Sequence, residues 1–177
     1  MQSREKEILK VAEKMVRKGG YNAFSFREIA DKVGIKSSSV HYHFPTKADL
    51  GAAVAFYYTE NFLDRLGNLD ELIKARKDPI KTYIKVFRDA LTKDKHMCLC
   101  GLLGAEVNGL PPEVAGQVKI FFERNIEWLT QAYLLKNGTT AAKKAAMHTL
   151  ALLEGSMILS NVLGDIKVFD KSIDSLA

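Results

Sequence analysis

Between residues 36 and 42 the chain reads Lys-Ser-Ser-Ser-Val-His-Tyr. Set aside the apolar Val40, and one cation, three hydroxyls, an imidazole and a phenol remain: Lys36, Ser37, Ser38, Ser39, His41 and Tyr42. Short polar donors and amphipathic rings of this kind suit phosphate oxygens and base edges. A second set lies at His96, Cys98 and Cys100. Two positions along a helix turn a side chain through about 200°, so Cys98 and Cys100 do not share a helical face and only His96 and Cys100 align. An extended stretch would align all three, which leaves zinc open there. A reactive Cys98 needs a cation or a helix N-terminus beside it, and Lys93, Lys95 and His96 are close in sequence. A free cysteine otherwise behaves as a small buried apolar residue. Neither thiol has a general base on a recognisable motif, and the chain contains no glycine-rich phosphate loop or metal signature. No enzymatic activity, metal or other cofactor is therefore expected. A cysteine-dependent enzyme and an all-α interaction module without DNA binding are the alternatives.

The first set is useful only if a rigid element presents it. Ser25-Phe26-Arg27-Glu28 is an S-x-x-E capping box and opens a short helix with Ile29, Ala30 and Val33 on one face. Gly34 closes that helix, and Ser38 to Phe44 forms the next, stopped by Pro45. This is helix-turn-helix spacing. Ala30 is the small residue where the helices cross, and Gly34 tolerates the backbone angles of the turn. Ile29, Val33, Ile35 and Val40 lock the pair against a first helix marked by Ile8, Ala12, Met15 and Val16. The second helix of such a pair lies in the DNA major groove. His43 points to the helix junction and is expected to be packed.

Charge agrees with this placement. Lys and Arg number 26 against 21 Asp and Glu, and residues 1–50 hold 10 of the bases and 6 of the acids. A basic front end on a near-neutral body suits a polyanion. Residues 1–7 mix acids with bases and lack an apolar core, so no signal peptide is expected. Two cysteines make no secreted disulfide scaffold, and a cytoplasmic location is expected. Ala145–Gly164 lacks Lys, Arg and Asp, but His148, Glu154, Ser156, Ser160 and Asn161 interrupt it. It reads as a buried or interface helix, with no membrane partner.

The remaining chain also has helical periodicity. Thr46-Lys47-Ala48-Asp49 resembles a second capping box, opening a helix to about Leu66. A short helical piece is expected around Leu69–Ala75, a helix from Pro79, a short one within Cys98–Val107, and two long helices at about 113–136 and 140–163. The fold class expected is all-α.

Phe24-Ser25-Phe26-Arg27-Glu28-Ile29-Ala30-Asp31-Lys32-Val33-Gly34-Ile35, with His41-Tyr42-His43-Phe44-Pro45-Thr46-Lys47, resembles the N-terminal domain of TetR/AcrR-type transcriptional regulators over about residues 5–52. The resemblance implies an all-α homodimer. Residues 1–46 would be a three-helix helix-turn-helix DNA-binding domain, and residues 47–177 a helical effector-binding and dimerisation domain. The partners implied are a double-stranded DNA operator, a second copy of the chain and a small-molecule effector. The effector, or thiol modification, would shift the helix starting at Thr46 and release the operator. By position, Tyr42 and Lys47 look like phosphate contacts, Lys47 beside free backbone N–H groups. Ser25 offers another anchor, and Lys36, Ser37 and Ser38 would read bases. The family often has an aromatic, usually Tyr, where this chain has His41, so an imidazole brings pH sensitivity to that contact.

Met97-Cys98-Leu99-Cys100-Gly101-Leu102-Leu103-Gly104-Ala105-Glu106 resembles a stretch in one branch of the family whose members answer electrophiles or apolar drugs; that branch has Gly where Met97 stands. The two long helices look like a dimerisation hairpin: the small residues Ala141, Ala142, Ala145, Ala146, Ala151, Gly155 and Ser156 allow close helix approach, and Leu150, Leu152, Leu153, Met157 and Leu159 supply apolar area. Phe87, Leu91, Cys98, Leu103, Phe121, Phe122, Trp128 and Met157, with Met147, are candidate pocket residues. His148 and Glu154, polar within an apolar helix, would pair across the dimer or orient a ligand.

Overall fold

The computed structural model describes residues 3–138 and 141–176, the Asn137 side chain excepted. The described residues contain helices and 3-10 turns and no strand, as the sequence periodicity leads one to expect. In chain order the α-helices are α1 (Ser3–Gly19), α2 (Phe26–Val33), α3 (Ser37–His43), α4 (Lys47–Leu66), α5 (Leu69–Lys74), α6 (Pro79–Thr92), α7 (Leu99–Ala105), α8 (Pro112–Asn137), α9 (Ala142–Leu163) and α10 (Ile166–Ser172). The expected start of the last long helix at Thr140 falls outside the described residues. Two compact units interleave along the chain: Met1–Glu60 with Leu99–Phe121, and Asn61–Cys98 with Phe122–Ala177.

In the first unit, α1 buries Ile8, Leu9, Ala12 and Val16, residues spaced to share one helical face. That face packs against α2 and α7, and α7 contributes Leu99, Cys100 and Leu103 to the core. Gly20 ends α1 with φ of 79°, a conformation glycine adopts without strain. A side chain there would also run into the Glu106 carboxylate. That carboxylate accepts a hydrogen bond from the Tyr21 backbone N–H at 3.1 Å, which ties the α1–α2 connection to the segment after α7. The Tyr21 ring in turn lies against Gly51, where an added Cβ would be 2.7 Å from it.

In the second unit, α6 begins with Pro79 in its first turn and Asp78 as cap, whose Oδ1 accepts from the N–H groups of Ile80 and Lys81 at 2.8 and 3.2 Å. The other carboxylate oxygen of Asp78 pairs with Lys136 at 2.7 Å. Tyr133 and Thr149 join α8 to α9 through their hydroxyls at 2.7 Å. Helix α10 packs on α9 and α6 through the fully buried Phe169. Burying such a ring stabilises the unit by about 2–3 kcal/mol. Arg88 closes the same junction with a bidentate pair to Asp170 at 2.8 and 3.0 Å. Phe62, Tyr83 and Phe87 form a mutually stacked aromatic cluster, with Trp128 against Tyr83. Helix α9 is long and apolar enough, by length and composition, to cross a membrane. Its Ala146, Leu150, Leu153 and Met157 are nevertheless buried within the unit.

Candidate nucleic-acid interface

The α2–α3 pair is built by local chemistry that the sequence states openly. The Ser25 Oγ accepts from the Glu28 N–H at 3.3 Å and donates to the Glu28 carboxylate at 2.7 Å. The Ser25 hydroxyl is thus engaged in capping its own helix, which satisfies one of the orphan N–H groups of the first turn. At the other end Gly34 takes φ of 74°, and the N–H groups of Gly34 and Ile35 both return to the Ala30 carbonyl, at 2.9 and 3.0 Å. This double closure turns the chain within two residues. Ile29, Ala30 and Val40 are buried between the helices. Val33 and Ile35 are half-buried.

With that face turned inward, the polar residues of α3 and its cap face outward. Lys36 caps α3 through its backbone and its side chain is exposed. Ser38, His41 and Tyr42 are also exposed, while Ser37 and Ser39 are half-buried. Tyr42 stands out at 84% exposure, its ring meeting only His43, edge to face at 5.4 Å between centroids among the described ring contacts. His41 lies on the Phe26 ring at 4.4 Å between centroids. Its Nδ1 is 3.4 Å from the Pro45 carbonyl, and a carbonyl can only accept. Nδ1 is therefore the donor in this contact. His43 is half-buried against Tyr42 and Phe44.

The second capping box is complete. Thr46 receives the Asp49 N–H on its Oγ1 at 3.0 Å, while the Thr46 N–H and hydroxyl donate to Asp49 Oδ2 at 3.0 and 2.7 Å. Lys47, the first residue of α4, extends its ammonium over the rings of Tyr21 and Phe24, 5.0 and 4.7 Å from their centroids. The ring faces hold the cation without neutralising it. This aromatic seat was not visible in the sequence, because Tyr21 and Phe24 precede α2 and reach Lys47 only through the fold.

The candidate effector residues separate between the two units. Leu103 and Phe121 are buried in the first, where Phe121 stacks with Tyr58 at 5.8 Å. Phe87, Cys98 and Met157 are buried in the second, and Leu91, Phe122 and Trp128 are half-buried there. Phe87 and Trp128 both stack on Tyr83. Met147 and His148 are exposed. Both cysteines are buried, and the described residues contain no group of three side chains disposed to hold a metal ion.

Sequence reasoning passed over Tyr83 and Asn125, which share a buried hydrogen bond at 2.7 Å in which the phenol donates to the amide oxygen. The Tyr83 phenol is held well above its ordinary pKa, first by burial and then by the nearby Glu154 and Cys98. Glu154 has both carboxylate oxygens inaccessible and without a hydrogen-bond partner. Burial pushes its pKa up to about 7; the Cys98 thiol, a weak donor nearby, offsets part of that rise. The available signal was that Glu154 is the single acid between Ala145 and Gly164.

Residues 8–54 match the family model for bacterial regulatory proteins of the tetR family. Over 97% of this chain and 94% of the other, the crystal structure of a TetR transcriptional regulator from Legionella pneumophila is 34% identical and superposes with a TM-score of 0.86. A TetR-family regulator from Agrobacterium tumefaciens is 29% identical over 99% of this chain and 96% of that one, with a TM-score of 0.88. The HTH-type transcriptional repressor KstR2 of Mycolicibacterium smegmatis is 30% identical over 95 residues, 53% of this chain and 44% of that protein, so the match spans less than half of the curated relative. With its capped helix-turn-helix and the near full-length likeness to solved regulators, this chain belongs to the TetR family of transcriptional regulators.

Proposed function

We propose that this chain is a dimeric, sequence-specific repressor that an apolar small molecule releases from its operator. The exposed polar face of α3, fixed by the Gly34 turn and by capping boxes on the helices either side of it, is the observation that carries this reading. Residues 1–46 do the DNA binding in this proposal, and residues 47–177 bind effector and dimerise. Lys36, Ser37, Ser38 and Ser39 read bases from the start of α3. Tyr42 and Lys47 hold phosphates, with His41 supporting them. The aromatic seat of Lys47 supports its role, since a preorganised cation loses less freedom on binding. Because the Ser25 hydroxyl is occupied in its cap, its end of α2 contacts phosphate through backbone N–H groups.

Dimerisation is supported by the outer face of α9, where Met147, Ile158, Leu159, Val162 and Leu163 are each about half-exposed or more. Leu134 and Leu135 near the end of α8 are exposed as well. Contiguous apolar residues left in water mark an interface, and a two-fold dimer spaces two recognition helices one DNA turn apart, about 34 Å. Burial of Cys98 and Cys100 favours a bound ligand over thiol modification as the releasing signal. A cytoplasmic location and the absence of a membrane partner follow from this reading.

The test is operator binding by variants, using the protein's own upstream DNA. Lys47→Ala is expected to weaken all duplexes alike and reduce the salt dependence by about two units of slope per dimer, one for each copy. Lys36→Ala and Ser37→Ala are expected to change which sequence binds best. Equal effects of all three on every duplex would remove α3 from base reading.

A further inference from the structure

We infer that the second unit holds a binding site for an apolar organic cation, a protonated amine on a hydrocarbon body, anchored by the carboxylate of Glu154. The inference rests on the effector reading above and gives that effector a chemical class. Four observations lead to it. First, the Glu154 carboxylate has both oxygens buried without a hydrogen-bond partner. A buried carboxylate left in that state is costly, and a native structure with one calls for an occupant that supplies donors. Second, the two donors known to be near it, Tyr83 and Cys98, supply little. The Tyr83 proton is committed to Asn125 at 2.7 Å, and the Cys98 thiol is a weak donor.

Third, the surroundings favour positive charge. Tyr83, which feels the Glu154 charge, is flanked by Trp128 and Phe87 at 5.6 and 5.4 Å. Aromatic faces attract cations and accommodate hydrocarbon equally well. Fourth, Trp128 also lines an open groove of about 510 Å³, together with Asp64, Glu127 and Arg124. A groove of that size is within the range that small molecules occupy. Its two acids outnumber the one guanidinium, a net negative lining that favours cations modestly at the wall formed by Trp128. The alcohol and carboxylate analogues of such an amine lack the charge that this arrangement selects.

The probes are 1-adamantanemethylamine, 1-adamantanemethanol and 1-adamantanecarboxylate, which share one hydrocarbon body and do not absorb near Trp. The chain contains one Trp, so fluorescence of Trp128 reports this site, with calorimetry for affinity. The amine is expected to bind at least about tenfold more tightly than either analogue. Glu154→Gln is expected to remove that preference. Asp64→Asn with Glu127→Gln, both on the surface, is expected to weaken the amine about two- to threefold. Equal binding of alcohol and amine, tighter binding of the carboxylate, no binding of any probe, or undiminished amine preference in Glu154→Gln overturns the assignment. The comparison on the unaltered protein stands even if Glu154→Gln folds poorly. Operator binding is measured on the same samples. Loss of DNA binding with amine selectivity intact sinks the repressor reading alone, and selective amine binding that leaves the operator complex intact sinks the effector reading while keeping the site.

Discussion

Replacing Glu154 with Gln is expected to change how stability depends on pH more than stability itself. The folded protein holds the Glu154 proton up to about pH 7, against an ordinary value of 4.5. Below the lower value both folded and unfolded chains carry the proton, and the group is neutral in the balance. As pH rises between the two values the unfolded chain loses the proton first, so stability falls; above the upper value the loss is complete and constant. At about 1.4 kcal/mol per pKa unit, the full penalty is about 3 kcal/mol, and most of it develops between pH 5 and pH 8. Gln carries no titrating proton. Its amide still lacks partners in the same pocket, so its stability at pH 5 can fall below that of the parent by about 1–3 kcal/mol. The informative quantity is therefore the difference between the two proteins at each pH. Urea unfolding at fixed protein concentration, from pH 5 to pH 8, measures it. The difference is expected to move by about 2–3 kcal/mol in favour of Gln across that range. Parallel curves would refute the claim that the carboxylate is buried without a partner.

Gly34→Ala tests the turn: no atom lies within 4 Å of an added Cβ, so the cost is that of a positive φ alone, about 1 kcal/mol, read as a fall in unfolding free energy. A loss below about 0.3 kcal/mol would mean the turn relaxes. Glu106→Ala removes the acceptor of the Tyr21 N–H and is expected to destabilise by about 1–2 kcal/mol and to weaken operator binding; unchanged stability in urea would dismiss that tie. Val162→Asp, at a position 76% exposed, is expected to dissociate the dimer in sedimentation without unfolding the chain, and an intact dimer would move the interface off this face of α9.

The legible parts of this fold were those encoded locally. Ser25 with Glu28, and Thr46 with Asp49, are pairs three residues apart, and a capping box is closed by residues within one turn. Gly34 and Pro79 carry their backbone preferences with them. The apolar spacing of α1 and α6 is likewise a property of single helices. What stayed hidden depends on partners distant in sequence. Lys47 meets Tyr21 and Phe24, the Tyr21 N–H meets Glu106, and Tyr83 meets Asn125, so no window of sequence contains both members. The candidate pocket residues were chosen for size and apolarity, properties that core and pocket share. They divide accordingly between two units, whereas Glu154, marked in the sequence as a polar residue within an apolar helix, reveals its missing hydrogen-bond partners only in the fold. The exposed face of α9 was similarly masked, because its small residues such as Ala142, Ala146 and Ser156 are buried within the chain and the larger Ile158, Leu159 and Val162 are outside.

In the proposed function, the outward face of α3, with Tyr42 and Lys47, engages DNA phosphates and bases. Fluorescence anisotropy of a labelled duplex from the protein's own upstream region, titrated at several salt concentrations, tests it most directly. If two copies neutralise on the order of six to ten phosphates, the logarithm of affinity falls linearly with that of salt, and about three to five orders of magnitude are lost between 50 and 200 mM. Lys47→Ala should lie on a shallower line. Absence of binding at low salt, with the dimer intact by sedimentation, would show that this face does not hold DNA.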